Sequence, residues 1–212
     1  MLVTLFLVVT FTAAVFLALR RLSQYPGRGI LNVGEFLRGG NPQKIRAVLN
    51  EALESELRLG LTRHEFLPLQ RKNLHSVLEF LLCMFHDTRV CIELAHNEQY
   101  RELVRHPGMA DGEEYVQRAK KLECAAFEFR TYCFLAIMRV RFWIAFRTQW
   151  WLPFPAPRIS DLKQIYGLSF FTLYNKFIQA VSDVGLLHGP EFQESFLKAL
   201  IKSDPLDEQL GR

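Results

Sequence analysis

Four side chains in the middle of the chain have the types and spacing of metal ligands: Glu79, His86, Glu93 and His96. Glu79, His86 and Glu93 follow one another at seven-residue intervals, which places them within about 40° of one another around a helix. Glu93 and His96 form an E-x-x-H pair, which puts a carboxylate and an imidazole on one helix face in di-iron bundles. Such a face could hold a metal ion if a neighbouring helix supplied the remaining ligands.

The rest of the chain does not complete such a site. A di-iron bundle needs two E-x-x-H elements and two further glutamates on facing helices. This chain has one E-x-x-H, and the helix expected at residues 112–151 contains no histidine. The chain also lacks the G-x-S-x-G, H-E-x-x-H and Walker A motifs. We therefore expect no catalytic residue, metal or cofactor, and keep a metal-binding or enzymatic helical bundle as an alternative.

Large aromatic and arginine side chains cluster at residues 139–151. Phe142, Phe146 and Trp150 are spaced at four-residue intervals, so they share one side of a helix. Rings of this size beside guanidinium groups suit three environments: a protein–protein contact, the headgroup region of a membrane, or an ordinary helical core. The candidate partner or membrane surface consists of Arg139, Phe142, Trp143, Phe146, Arg147, Trp150 and Trp151.

Elsewhere the hydrophobic residues recur at helical spacing, and no run alternates as a β-strand would. We expect an all-α fold, with a single N-terminal transmembrane helix followed by an irregular bundle of about five helices. Gly185 is expected to end the fourth bundle helix, and the prolines at 152–158 to form an extended strap before it. The bundle helices are expected at residues 42–59, 69–105, 112–151, 160–184 and 190–202.

Capping residues mark several of the expected helix starts. Asn41 and Pro42 match an N-cap followed by proline at the first helical position. Thr62 and Glu65 form a capping-box pattern, although Pro68 favours a start after the proline.

The four cysteines, Cys83, Cys91, Cys124 and Cys133, include no C-x-x-C pair. Cys124 and Cys133 are nine residues apart, which places them on opposite sides of a helix and prevents joint metal binding. We expect small buried thiols that stay reduced in the cytosol.

The first 19 residues carry no charged side chain, and Arg20 and Arg21 follow at once. As a helix this run would be about 28 Å long, close to the roughly 30 Å thickness of the bilayer hydrocarbon. A cleaved signal peptide fits less well, because no basic residue precedes the run and no small-x-small cleavage site follows it. A buried core helix is the remaining alternative. The expected segments are an anchor at 1–21, a juxtamembrane linker with one short helical turn at 22–41, a helical domain at 42–204 and a tail at 205–212.

Charge near the anchor predicts its orientation. Basic residues concentrate after the anchor, and such residues stay on the cytoplasmic side, so we expect the N-terminus outside and the C-terminal domain in the cytoplasm. The chain has 26 basic and 22 acidic residues, a net charge of +4, without a polybasic run. We therefore expect no nucleic-acid partner.

These features predict a membrane-anchored helical interaction protein, such as a scaffold, an assembly factor or an accessory subunit of a membrane complex. It would bind the lipid bilayer through residues 1–19 and a protein partner through its helical domain. A tether of this kind raises the effective concentration of the domain near membrane partners. A protein that engages lipid peripherally, through its basic aromatic helix, is a further alternative.

Overall fold

Two long antiparallel helices form the centre of the fold. In the computed structural model, which describes residues 33–105, 110–147 and 156–201, these helices span Arg63–Arg105 and Ala110–Phe142. Contacts between them run in opposite chain directions: His96 meets Glu123, and Phe85 meets Arg130. All described residues belong to one compact unit, Leu31–Arg212.

Shorter elements pack around this pair. The described residues contain seven α-helices, so the all-α class is confirmed, together with one short hairpin that the sequence did not predict. The α-helices are α1 Val33–Phe36, α2 Pro42–Val48, α3 Glu51–Gly60, α4 Arg63–Arg105, α5 Ala110–Phe142, α6 Phe170–Leu187 and α7 Pro190–Leu200. A π-helix spans Trp143–Arg147, a 3-10 helix spans Ile159–Lys163, and the hairpin pairs β1 Gln164–Ile165 with β2 Leu168–Ser169.

Aromatic rings fill the core between α5 and α6. Phe129 of α5 is fully buried, and its ring lies 5.6 to 6.3 Å from four other rings. Buried aromatic pairs at this separation stabilise a core beyond the area that they remove from water. The four rings belong to Tyr132, Phe170, Tyr174 and Phe177.

Capping explains where the first helices begin and end. The side chain of Asn41 accepts hydrogen bonds from the backbone N–H groups of Gln43 and Lys44, which confirms the predicted N-cap. The single helix expected at 42–59 is wrong, because α2 ends at Val48 with Leu49 as its C-cap, and Asn50 then caps α3 by accepting from Ala52 N–H. The hydrophobic spacing did not reveal this break.

The Thr62–Glu65 pair at the start of α4 forms the carboxylate half of the predicted capping box: Thr62 donates both its backbone N–H and its hydroxyl to Glu65. The helix nevertheless begins at Arg63, before Pro68, where a later start was expected. Pro68 removes a single backbone hydrogen bond near the helix start, and the buried side chains of Phe66 and Leu67 hold this turn in place.

The helix expected at 160–184 begins later, at Phe170. Tyr166 and Gly167 both have positive φ, 48° and 81°, as the two central residues of a type I′ hairpin turn do. Gly185 does not end this helix, which continues to Leu187. Its small size has another role, because a Cβ there would lie 3.0 Å from the Cα of Gln193 in α7.

The segment expected as a linker at 22–41 packs into the domain from Val33 onward. Val33 and Leu37 are buried, and Gly40 donates its N–H to the carbonyl of Leu200. This packing places residues 33–41 with the helical domain, which was expected to begin at residue 42.

No helix within 33–105, 110–147 and 156–201 is both long and apolar enough to cross a bilayer. The expected anchor at 1–21 with Arg20 and Arg21, the tail at 205–212 and most of the strap at 152–158 lie outside those ranges.

Candidate interaction surface

The outward face of α5 carries a line of exposed apolar side chains that continues into the π-helix. Regular helical spacing gives α5 one buried face, with Leu122, Phe129 and Val140 fully enclosed. Its opposite face should be polar, but large apolar residues occur there at intervals of seven, four, four and four residues. We call them the outer stripe: Phe127 (64% exposed), Phe134 (42%), Met138 (48%), Phe142 (55%) and Phe146 (52%).

The outer stripe has one gap, at Thr131. This residue is exposed, and its hydroxyl bonds back to the carbonyl of Phe127, one turn earlier. From Phe127 to Phe146 the stripe covers about 28 Å at the rise of a helix. An exposed apolar line of this length on a soluble face is typical of a binding surface.

The π-helix separates outward from inward rings at the end of the stripe. The rings of Phe142 and Phe146 lie 5.1 Å apart and both face solvent. Trp143 is turned inward and is 3% exposed, with the Arg139 guanidinium 4.9 Å from its ring. Arg139 also lies 3.8 Å from Asp161. The π-helix therefore presents phenylalanine outward and buries tryptophan.

Charged residues line both flanks of the outer stripe. Toward α4, Glu123 accepts hydrogen bonds from His96 at 2.6 Å and from Gln99 at 3.0 Å. The bond from Gln99 is the main cause of a lowered pKa of Glu123, and slight burial opposes it. Toward α6, Glu128 pairs with Lys176 at 2.7 Å.

Arg141 differs from these flanking residues. It is exposed, and it forms no ion pair with any residue in the described ranges. It lies one residue before Phe142, at the C-terminal end of the stripe, so its guanidinium is beside an apolar surface.

The predicted surface and the outer stripe overlap in part. Phe142 and Phe146 are exposed as that prediction requires, whereas Trp143 belongs to the core and Arg139 stacks on it. Arg147 ends the π-helix, and Trp150 and Trp151 lie outside the described residues. Sequence reasoning missed Phe127, Phe134 and Met138, although their spacing continues the line of Phe142 and Phe146 toward the N-terminus of α5.

The four residues considered as metal ligands are not brought together. Nε2 of His86 lies 3.1 Å from the carbonyl of Phe36, Glu93 pairs with Arg89, and His96 pairs with Glu123. Glu79 is exposed. Within the described residues, no group of three or more His, Cys, Asp or Glu is arranged to hold a metal ion.

A buried carboxylate next to His86 has a structural role that the sequence did not reveal. Asp87 is fully buried in α4, and its two oxygens accept the backbone N–H groups of Arg38 and Gly39 at 2.9 and 3.0 Å. Burial raises the pKa of Asp87 and outweighs these two bonds. The same segment passes so close to α4 that a Cβ at Gly40 would lie 2.6 Å from the ring of Phe80.

A second buried carboxylate holds the described end of the proline strap. Glu54 accepts hydrogen bonds from the backbone N–H groups of Ile159 and Ser160 and from the amide of Gln70. Gln70 and Arg58 in turn donate to the carbonyl of Pro157. Burial acts to raise the pKa of Glu54, but the hydrogen bonds together lower it below its ordinary value. The cleft of about 340 Å³ that Glu54 and Gln70 line is therefore part of a structural clamp.

The cysteines follow the expectation only in part. Cys91 and Cys133 are fully buried, and burial raises the pKa of both thiols. Cys83 is partly exposed and Cys124 is exposed on α5, so the prediction that all four are buried is wrong.

Comparison with protein-family models, with curated proteins and with solved structures finds no significant match to this chain.

Proposed function

We propose that this chain is a non-catalytic interaction protein that binds a protein partner through the outer stripe of α5. The observation that carries the proposal is the stripe itself, five large apolar side chains that are each about half exposed. Phenylalanine and methionine are enriched at the centres of protein interfaces. Burying such large apolar side chains against a partner contributes a favourable free energy of binding. A scaffold, an assembly factor or an accessory subunit would use such a surface.

We further propose that residues 1–19 tether this domain to a membrane, with the domain on the cytoplasmic side. The support is the uncharged N-terminal run followed by Arg20 and Arg21. A tethered partner surface meets membrane proteins at a higher effective concentration than a free one would. The complex would then be a membrane complex.

A protein partner is favoured over direct lipid binding. The lipid alternative relied on tryptophan rings at headgroup depth. Trp143, the described tryptophan of the predicted surface, is buried in the domain. The metal-binding alternative is disfavoured because His86, Glu93 and His96 are each engaged with a different partner.

Affinity purification of the full chain in mild detergent tests the proposal. Phe142→Ser and Phe146→Ser remove exposed rings, and Leu59→Ser, at the end of α3, is the matched control because Leu59 is 90% exposed and lies outside the stripe. We expect a stoichiometric partner, of any identity, with the wild type and the control, and its loss with the two stripe variants. Equal recovery by all four proteins would contradict the proposal.

A further inference from the structure

We infer that the partner on the outer stripe is a second copy of this chain, with the two α5 helices packed antiparallel. This inference rests on the proposed function, because it assigns a partner to the same surface.

The area of the stripe suits a small symmetric dimer. A phenylalanine side chain carries about 150–250 Å² of surface, so five side chains at half exposure offer roughly 500 Å² per copy and roughly 1,000 Å² in a pair. Specific interfaces begin at about this size. A C2 pair uses the same patch on both copies, so one stripe supplies both halves of the interface.

The shape of the stripe complements itself when two copies run antiparallel about a two-fold axis between residues 132 and 133. Phe127 then faces Met138 of the second copy, and Thr131 faces Phe134 of the second copy. The exposed gap at Thr131 receives the bulky Phe134 ring, as a knob enters a hole in paired helices. Each large residue near the axis therefore meets a smaller or more flexible one.

Charge on the flank favours the antiparallel orientation over the parallel one. Glu123 and Arg141 are eighteen residues apart, which is five turns of a helix, so both lie on the same flank of the stripe. Antiparallel packing about this axis brings Glu123 of one copy to Arg141 of the other, on both sides of the axis. In a parallel two-fold pair this flank faces the opposite flank of the second copy, so Glu123 and Arg141 would not meet. Arg141, which has no ion pair within the described ranges, gains a partner in the antiparallel arrangement alone.

Thiol cross-linking of the full chain in detergent or native membranes tests the inference. In an antiparallel pair, residue 131 lies three positions from its counterpart, about 5 Å along the axis and 8–10 Å across it. Cys124 lies seventeen positions from its counterpart, about 25 Å along the axis. A bismaleimide with a spacer of about 8 Å, of the order of one interhelical distance, should therefore dimerise Thr131→Cys far more than the wild type. The wild type, with its exposed Cys124, is the matched control.

Charge reversal provides a second readout. Glu123→Lys and Arg141→Glu should each weaken dimerisation by about three- to tenfold in sedimentation measurements, as expected for two rim ion pairs replaced by repulsion. The double variant restores opposite charges across the interface and should recover most of the loss. A double variant that dimerises no better than either single variant would overturn the charge argument.

Three results would overturn the inference. Cross-linking of the wild type through Cys124 would show a parallel pair, and no adduct above background with Thr131→Cys would show no pair at this surface. Binding of an unrelated protein that depends on Phe142, without self-adducts, would make the second copy wrong while the proposed function stands. Phe142 and Phe146 variants that keep every partner would contradict the proposed function itself.

Discussion

Phe142 and Trp143 are neighbours in the chain, but Phe142 is half exposed at the end of α5 while Trp143 is buried at the start of the π-helix. Consecutive residues of a helix point about 100° apart, so these two adjacent aromatic residues reach different faces. Trp143 contributes to the core, and Phe142 belongs to the proposed binding surface. The two tasks can be separated by substitution.

Trp143→Ala should lower the free energy of unfolding by about 3–5 kcal/mol, because it leaves a cavity where a buried ring was. Measured on the monomer at low protein concentration, Phe142→Ala should change it by less than about 1 kcal/mol, because the exposed ring has few contacts to lose within one chain. Urea unfolding followed by circular dichroism measures both. A larger loss from Phe142→Ala than from Trp143→Ala would show that the assignment of the two rings is reversed.

Glu54 should make the domain less stable in acid. Its pKa is lowered in the folded state, so its ionised form stabilises the fold above the ordinary value of 4.5, and this contribution disappears as the pH falls through the lowered value. Glu54→Gln should cost about 1–3 kcal/mol at neutral pH, since one oxygen acceptor is lost from a buried cluster. Urea unfolding of wild type and variant across acidic pH should show this difference shrinking toward low pH. A difference that does not change with pH would contradict the assignment.

The contribution of Asp87 to stability should depend on pH in the opposite direction. Burial raises its folded-state pKa above the ordinary value of 3.8, so its contribution to stability is full below that value and is lost as the pH rises through the raised pKa. The free energy of unfolding of the wild type relative to Asp87→Asn should therefore fall between acid and neutral pH. The same series of urea unfolding measurements determines this difference at each pH. Glu54→Gln is the control, because its stability difference from the wild type should change with pH in the opposite direction. A rise with pH would mean that the two N–H bonds to Asp87 outweigh its burial.

A side chain at Gly185 should destabilise the packing of α6 against α7. Gly185→Ala places a Cβ 3.0 Å from the backbone of Gln193, and we expect a loss of about 1–3 kcal/mol. Gly60→Ala is the control, because nothing lies within 4 Å of its added Cβ. That variant should leave the stability unchanged or raise it by up to about 1 kcal/mol. Thermal melting of both variants distinguishes close helix packing from a general intolerance of alanine.

Local signals in the sequence predicted part of this fold. The Asn41 cap and the Thr62–Glu65 box lie within three residues of their partners, so their patterns are readable directly. The buried face of α5 also follows from its periodicity, because Leu122, Phe129 and Val140 recur at helical spacing.

Contacts distant in the chain could not be read in this way. Asp87 bonds to a segment 48 and 49 residues away, and Glu54 bonds to one 105 and 106 residues away. No local sequence pattern indicates such partners. The N-terminal part of the outer stripe escaped notice for another reason: half of the chain is hydrophobic, so α5 also carries apolar residues on the face opposite its core, where helical periodicity leads one to expect polar side chains.

Site-specific photo-cross-linking in native membranes tests the role of the outer stripe most directly. A benzoylphenylalanine at position 142 would report whatever touches the stripe in the assembled state, and the same probe at position 59, which is also exposed, would report chance encounters. Our account predicts a discrete protein adduct from position 142 and none from position 59. Adducts that are equal at the two positions, or absent at position 142, would contradict it.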